Sequence, residues 1–289
     1  MPELPEVETV KNGLVKKVLN KKITNCNVLY QGIIAHPEKE QFVKNIKNQT
    51  INDIKRRGKF LLFELDNYYL ISHLRMEGKY FIKEPTESLN KHDHVIFTLN
   101  NNEELRYNDT RKFGKMHLFK KDELHLSPLS KLGLEPWDEN LTDQHLKDKL
   151  NKKKPIKTLL LDQGIIAGIG NIYADEILFL SKIHPETIGV NLNSKNRIDI
   201  IKNTKQILEK SIDLGGTTIH TYTSLDGITG RFQQELLVHG KEKQPCPICQ
   251  TQIKKIVVGG RGTYYCPKCQ KRKANWNLLF SLFYAKIHN

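Results

Sequence analysis

The sequence predicts a multidomain α+β chain, and three observations carry that prediction. Between Ile23 and Phe119, short runs rich in β-branched and aromatic residues are broken by Gly, Asn-Asn or Asp, the pattern of a β-sandwich or barrel. From Leu141 onward apolar residues recur three and four apart, which is helical spacing. Near the chain's end two Cys-x-x-Cys pairs flank a stretch that alternates like a hairpin. A length of 289 residues suits two domains better than one.

Val7, Val10, Leu14 and Val18 share one helical face, so a helix is expected from about Pro5 to Leu19, packed on a sheet and holding the chain start rigidly. Strands are then expected at Ile23–Tyr30, Thr50–Arg57, Lys59–Leu65, Tyr68–Leu74, His94–Leu99, Glu104–Tyr107 and Lys115–Phe119. Helices follow near Asp143–Leu150, Lys157–Asp162, Asn171–Leu180 and Ser194–Leu214. Between the second and third of these, Gly168-Ile169-Gly170-Asn171 can expose backbone N–H groups to an anion, and Asn171 can cap or donate. Glycines are also routine in helix–helix turns, so the motif alone leaves both readings open. The stretch 215–240, rich in Gly, Thr and Ser, reads as a long loop of a length that usually serves function. Lys254–Val258 and Arg261–Tyr265 make the hairpin, and no internal repeat is present.

The chain carries 46 Lys and Arg against 32 Asp and Glu, a formal charge of +14. That excess points to a polyanion such as nucleic acid, or less often to a membrane surface. No apolar run is long enough to span a bilayer, and no signal peptide with a hydrophobic centre is found. A soluble cytoplasmic nucleic-acid-binding protein is the class these features favour. Of five cysteines, four form Cys246-Pro-Ile-Cys249 and Cys266-Pro-Lys-Cys269, with sixteen residues between the pairs. Without a secretion signal this reads as one structural Zn²⁺ held by four thiolates, with no open position for catalysis. A redox dithiol and accidental spacing are the alternatives. Arg261, at the hairpin tip, would then be held ready for a phosphate. Cys26 is left as a buried or idle thiol.

The chain begins Met1-Pro2-Glu3-Leu4-Pro5-Glu6-Val7. If Met1 is removed, Pro2 offers a secondary amine that can attack an electrophilic carbon and form an iminium. A chain-end amine titrates near pH ~8, so a useful fraction is unprotonated at neutral pH. Glu3 and Glu6 lie within one helical turn and could move protons. The plainer reading is a helix start with Pro5 in the first turn and acids that favour the helix dipole. Lys59 follows Arg56-Arg57-Gly58 and is either a solvated strand-edge lysine or a phosphate contact. The same choice applies to Lys152, Lys153, Lys154 and Lys157, where the overall charge favours phosphate. Met76, Arg111 and Phe113 fall beside predicted turns, where together they would supply an apolar wedge and a base-reading arginine. His73 and His92 are weak signals, since strand histidines are commonly just hydrogen-bonded.

Pro2-Glu3-Leu4-Pro5-Glu6-Val7-Glu8-Thr9, the turn Gly168-Ile169-Gly170-Asn171-Ile172-Tyr173-Ala174 and the four late cysteines together resemble the bacterial formamidopyrimidine-DNA glycosylases. The resemblance runs from residue 2 to about Lys271. It implies an N-terminal β-sandwich with an N-terminal helix over residues 1–132, and a helix–two-turn–helix DNA-binding domain with a lesion-capping loop over 133–240. A zinc finger would follow over 241–271, and 272–289 would be an extension of unknown role. Damaged double-stranded DNA would lie in the cleft, and the lesion, an oxidised purine such as 8-oxoguanine or a formamidopyrimidine, would be flipped out.

By that resemblance Pro2 attacks C1′ of the damaged nucleotide, Glu3 is the general acid and Glu6 sets the proline's environment. Lys59 matches the lysine of β-elimination and Arg261 the arginine of δ-elimination. Asn171 matches a phosphate clamp, with His73, His92, Lys152, Lys154 and Lys157 as further DNA contacts. Met76, Arg111 and Phe113 match the residues that fill the hole, with Arg111 facing the orphaned cytosine. Thr217, Thr218, Ile219 and His220 fall in the loop that caps the lesion. Leu4 favours the purine branch over the endonuclease VIII type, which usually carries Gly there. After Gly215-Gly216-Thr217-Thr218 the family pattern leads to a basic residue and then Asp, whereas this chain has Ile219-His220-Thr221. Rival readings are the oxidised-pyrimidine enzyme and a lesion-binding protein without catalysis; Pro2, Glu3, Lys59 and Arg261 together argue against the second. The working protein would be a monomer.

Overall fold

The computed structural model describes residues 1–217 and 230–272. The expectations for Thr218, Ile219 and His220, and for the extension beyond 272, lie outside the described residues. Pro5 sits in the first turn of α1 (Leu4–Val18), where its missing N–H leaves nothing unsatisfied. Val7, Val10, Leu14 and Val18 are buried, as their spacing predicts. They pack into one core with residues of two sheets, among them Val95, Phe97 and Leu105 on one side and Leu61, Phe63 and Met116 on the other. Each fully buried aliphatic of this face contributes about 1.5–3 kcal/mol.

The strands are β1 (Ile23–Val28), β2 (Ile34–His36), β3 (Asp53–Arg57), β4 (Phe60–Glu64), β5 (Tyr68–His73), β6 (Lys79–Lys83), β7 (Asp93–Leu99), β8 (Glu104–Asn108) and β9 (Lys115–Lys120). One sheet has the order β1-β7-β8-β6 and the other β2-β9-β5-β4-β3. This is the expected sandwich, with three additions: β2, β6 and α2 (Lys39–Ile46). Only Phe42 and Ile46 of α2 are buried, too few to show a period. In β6 a single residue of five, Tyr80, is fully buried.

The chain crosses between the sheets twice at one end. His73 pairs with Lys115 in one sheet, and Lys79 pairs with Asn108 in the other. The connections 74–78 and 109–114 therefore leave the sandwich side by side. Both close on the Tyr107 hydroxyl: a Cβ at Gly78 would come within 2.3 Å of it, and one at Gly114 within 1.6 Å. Only glycine permits that approach.

The second half holds α3 (Asp143–Leu150), α4 (Ile156–Leu160), α5 (Asn171–Leu180) and α6 (Ser194–Asp213) around a core of its own. Leu4 belongs to this second core, although the rest of its helix belongs to the first. Helix α1 thus bridges the two halves at its first residue. The hairpin β10 (Lys254–Val258) and β11 (Arg261–Tyr265) turns through Gly259 and Gly260, at φ of 56° and 75°. A two-residue turn with both φ positive matches the twist of the strands it joins.

Candidate active site and metal centre

The helix α5 organises the site. Its first free N–H groups, those of Ile172 and Tyr173, point at the Glu3 carboxylate at 2.9 and 3.4 Å. An anion at a helix N-terminus is stabilised by those donors and by the dipole. The anion expected at this helix start is the chain's own Glu3, held by Ile172 and Tyr173 rather than by the glycines, of which Gly168 donates its N–H to Gln163 Oε1 at 2.9 Å. Leu4 N donates to Gly168 O at 3.2 Å, and a Cβ at Gly170 would lie 2.2 Å from Glu3 Cδ. The glycines exist to let the chain start lie against the helix.

Glu6 is saturated with donors. Its Oε2 accepts the Glu3 N–H at 2.9 Å. Its Oε1 accepts the Tyr173 hydroxyl at 2.6 Å, Thr217 N at 2.7 Å and Thr217 Oγ1 at 2.9 Å. Tyr173 also meets Ser211 Oγ at 2.6 Å. Glu6 therefore ties the chain start to the end of α6 and to the first residue of the Thr217 segment. Thr217 itself is buried on Glu6, so its side chain is turned inward.

Lys59 stands in the turn between β3 and β4, next to Gly58 at φ 57°. The turn is clamped: Arg56 makes a bidentate pair with Glu135 at 2.7 and 2.9 Å, and Glu135 also accepts the Gly58 N–H at 2.5 Å. Glu3 and Lys59 are only 2 % and 5 % exposed. Burial raises the Glu3 pKa; Lys59 opposes this and Glu6 adds to it. Burial lowers the Lys59 pKa against the attraction of Glu3 and Glu6, and Arg261 lowers it further. The site thus holds an acid inclined to keep its proton and an amine inclined to lose one, the pairing that proton transfer needs. Pro2, the neighbour of Glu3 in sequence, is buried, while Met1, whose carbonyl occupies the proline nitrogen, is 46 % exposed.

Arg111 and Phe113 are exposed in the 109–114 connection and Met76 is half-buried in the neighbouring 74–78 connection. The Arg111 guanidinium lies 4.9 Å from the Phe113 ring centroid. His92 is half-buried at the base of the same loop, its carbonyl accepting Asp109 N at 3.0 Å. His73 is buried, accepts the Arg75 N–H at Nδ1 and meets the Phe60 ring edge-on. Burial depresses its pKa to about 3, so it is a neutral imidazole rather than a cation. Asn171 donates to Gly262 O at 3.0 Å, joining the start of α5 to the hairpin beside exposed Arg261.

Lys152 and Lys154 are exposed, as a phosphate contact requires. Lys157 is not, and its expected place on the DNA face is corrected. It is fully buried, ion-paired with fully buried Asp175, and donates to Asn171 O at 3.2 Å. Asp175 also lies 2.7 Å from His239 Nδ1. One residue on, Glu176 accepts the N–H groups of Leu237, Val238 and His239 at 2.8, 2.9 and 2.7 Å. These acids were not singled out in the sequence. They carry no local signal except two adjacent carboxylates inside an otherwise apolar helix.

The four sulfurs of Cys246, Cys249, Cys266 and Cys269 lie within 4.8 Å of one another. Cys249–Cys266 is 3.4 Å and Cys246–Cys269 is 3.9 Å, too long for disulfides. Zn–S bonds of ~2.3 Å in a tetrahedron give sulfur edges of about 3.8 Å, which these separations fit. The four thiolates would hold one structural zinc. The finger is fixed to α5 through a small core of Phe179, Val238, Ile253, Cys246 and Cys266, and Gln270 donates to Ile183 O at 2.9 Å.

A sandwich and a helical half joined at a buried chain start, with paired acids, a lysine of depressed pKa and a thiolate finger, make a site suited to amine and acid–base chemistry. Models of the formamidopyrimidine-DNA glycosylase N-terminal domain, of its H2TH domain and of the zinc finger found in FPG and IleRS match residues 1–116, 132–223 and 243–272. The chain belongs to the formamidopyrimidine-DNA glycosylase family. It is 49% identical over 275 residues to the formamidopyrimidine-DNA glycosylase of Shouchella clausii, covering 94% of this chain and 100% of that protein. The identity to the Bacillus subtilis protein is 49% over 276 residues, with the same coverage. A Lactococcus lactis FPG variant in complex with Fapy-dG-containing DNA matches at TM-score 0.89 and 42% identity, over 94% of this chain and 100% of that one. The wild-type Lactococcus lactis FPG with oxidised-pyrimidine-containing DNA matches at TM-score 0.87 and 41% identity, with the same coverage.

Proposed function

We propose that this enzyme excises oxidised purines from duplex DNA through an iminium formed on Pro2, then cuts the strand by β- and δ-elimination. The observation that carries the reading is the buried meeting of Glu3, Glu6 and Lys59 around the chain start. Once Met1 is gone, the Pro2 nitrogen attacks C1′, the base departs with the electrons of the glycosidic bond, and loss of the proline proton with opening of the C1′–O4′ bond leaves the iminium on the opened sugar. Glu3 donates the proton that this step consumes, and Glu6 fixes the backbone on which Pro2 stands. Lys59, already inclined to be neutral, takes a proton in β-elimination, and Arg261 serves the second elimination. Lys152, Lys154 and Asn171 bind phosphates, with His92 and the neutral imidazole of His73 as hydrogen-bonding neighbours. Met76, Arg111 and Phe113 fill the vacated space, and the segment from Thr217 caps the flipped base. The four thiolates supply no chemistry; the metal they would hold keeps Arg261 in place.

We further propose domains at 1–132, 133–240 and 241–271, and a cytoplasmic monomer as the working form. Among the described residues no helix is long and apolar enough to cross a membrane. The substrate class is tested by single-turnover cutting of duplexes holding 8-oxoguanine, a formamidopyrimidine or an oxidised pyrimidine. Faster cutting of the two purine lesions is expected, leaving a one-nucleotide gap. A faster pyrimidine reaction would move the enzyme to the second reading, which the Lactococcus lactis complex with oxidised-pyrimidine DNA favours.

The pKa directions predict a pH signature. The Glu3 pKa is raised in the fold, so the protonated acid is present below it and is lost as pH rises through it. Base excision should fall along that alkaline limb, whereas cutting of a ready-made abasic site should lack it. Rate–pH profiles on both substrates check this, and Glu3→Gln should remove the limb. The Lys59 shift has the opposite sense: stability rises with pH between its lowered folded value and the ordinary lysine value.

A further inference from the structure

The 109–114 loop is held at its base by Asp109, which is fully buried. Its carboxylate accepts the N–H groups of Arg111 at 3.0 Å and Gly114 at 2.8 Å. That leaves Arg111, Lys112 and Phe113 exposed, with Lys112 at φ 58°, a conformation lysine rarely adopts. The Lys112 ammonium lies 4.7 Å from the centroid of the Tyr30 ring. Tyr30 is in turn fixed. Its ring lies so close over Gly32 that a Cβ there would meet it at 2.7 Å, and it tilts against the His94 ring at 5.5 Å. The His94 carbonyl accepts the Leu29 and Tyr30 N–H groups at 2.9 and 3.3 Å, while His94 Nε2 lies 2.8 Å from Asp109 O. One histidine therefore ties Tyr30 to the root of the loop, and Lys112 ties Tyr30 to its tip.

We propose that Tyr30 is a positioning residue for this loop: by holding Lys112 it fixes the neighbouring Arg111 and Phe113, and so sets how sharply the enzyme discriminates the base opposite the lesion. Contacts between a cation and an aromatic ring alternate along the loop, Arg111 on Phe113 and Lys112 on Tyr30. The second joins the exposed tip of the loop to the sandwich. Without it the left-handed Lys112 backbone loses its side-chain support, and Arg111 must be ordered at the moment of reading. This rests on the reading that Arg111 faces the partner base.

The test is the ratio of 8-oxoguanine cutting opposite C to that opposite A, beside abasic-site cutting and the thermal midpoint. Tyr30→Leu and Lys112→Met should each lower the ratio about two- to fivefold, the size of an exposed cation–π contact. The double variant should lose no more than either single, and Tyr30→Phe, which keeps the ring, should match the wild type. Abasic cutting and the thermal midpoint of Tyr30→Leu should stay unchanged. If Tyr30→Leu keeps the ratio while Arg111→Ala loses it, the inference falls and the reading of Arg111 stands. If Arg111→Ala keeps the ratio, the reading falls and the inference with it. Additive losses in the double variant, or an equal loss on every substrate with a lower midpoint, would make Tyr30 merely structural.

Discussion

Cys246→Ser should abolish zinc binding and, with it, tight binding to damaged DNA. Cys246 is fully buried in the small core that joins the finger to α5, and that core has few other members. A finger of this size owes its folding to the metal, whose binding free energy of about 10–16 kcal/mol is folding free energy. Losing one thiolate releases Arg261 and breaks the Asn171–Gly262 bond that couples finger to helix. Affinity for an abasic-analogue duplex should fall at least about tenfold, the worth of one charge-assisted hydrogen bond of ~1.5–3 kcal/mol. The sandwich and helical cores do not include the finger, so a cooperative melting transition should survive. Elemental analysis alongside a binding titration checks both parts.

Lys157→Met should destabilise the protein by about 3–5 kcal/mol, the cost of leaving one partner of a buried ion pair uncompensated. Asp175 would remain fully buried with His239 alone beside it. Lys157→Met combined with Asp175→Asn should recover part of the loss, because the stranded charge is gone. The discriminating readout is the salt dependence of DNA binding. Neutralising one phosphate contact changes the slope of log affinity against log salt by about 0.9. Exposed Lys152 and Lys154 should each show that change on replacement by alanine; Lys157→Met should show none.

The sequence made the periodic elements legible and left the pairings hidden. The apolar face of α1, the hairpin and the alternating strands are local patterns, and they lie within a few residues of where expected. Helix α2 and strand β6 bury only one or two side chains apiece, so no period exists to read. Lys157 shows the limit for charges: three preceding lysines made it look like surface, and only Asp175, distant in sequence, makes it interior. The Gly168–Gly170 turn shows the same limit for backbone donors. The anion at the helix start that follows it is Glu3, brought from the chain start by the shared packing of Leu4 in the helical core. Thr217 donates to Glu6 from the far end of the chain, a contact that no local pattern announces. Tyr173 lay inside the recognised motif, but its bond to Glu6 required the fold.

In the proposed mechanism the amine of Pro2, and not that of Lys59, is the nucleophile. Lys59 interacts electrostatically with both Glu3 and Glu6, and its depressed pKa makes it a credible rival. Borohydride reduction of the enzyme on an abasic duplex, followed by mass-spectrometric mapping of the cross-linked peptide, decides between them. A cross-link on Pro2 is expected in protein lacking Met1, and none in protein that retains it. A cross-link on the Lys59 peptide, or normal strand cutting by protein shown to keep Met1, would contradict it.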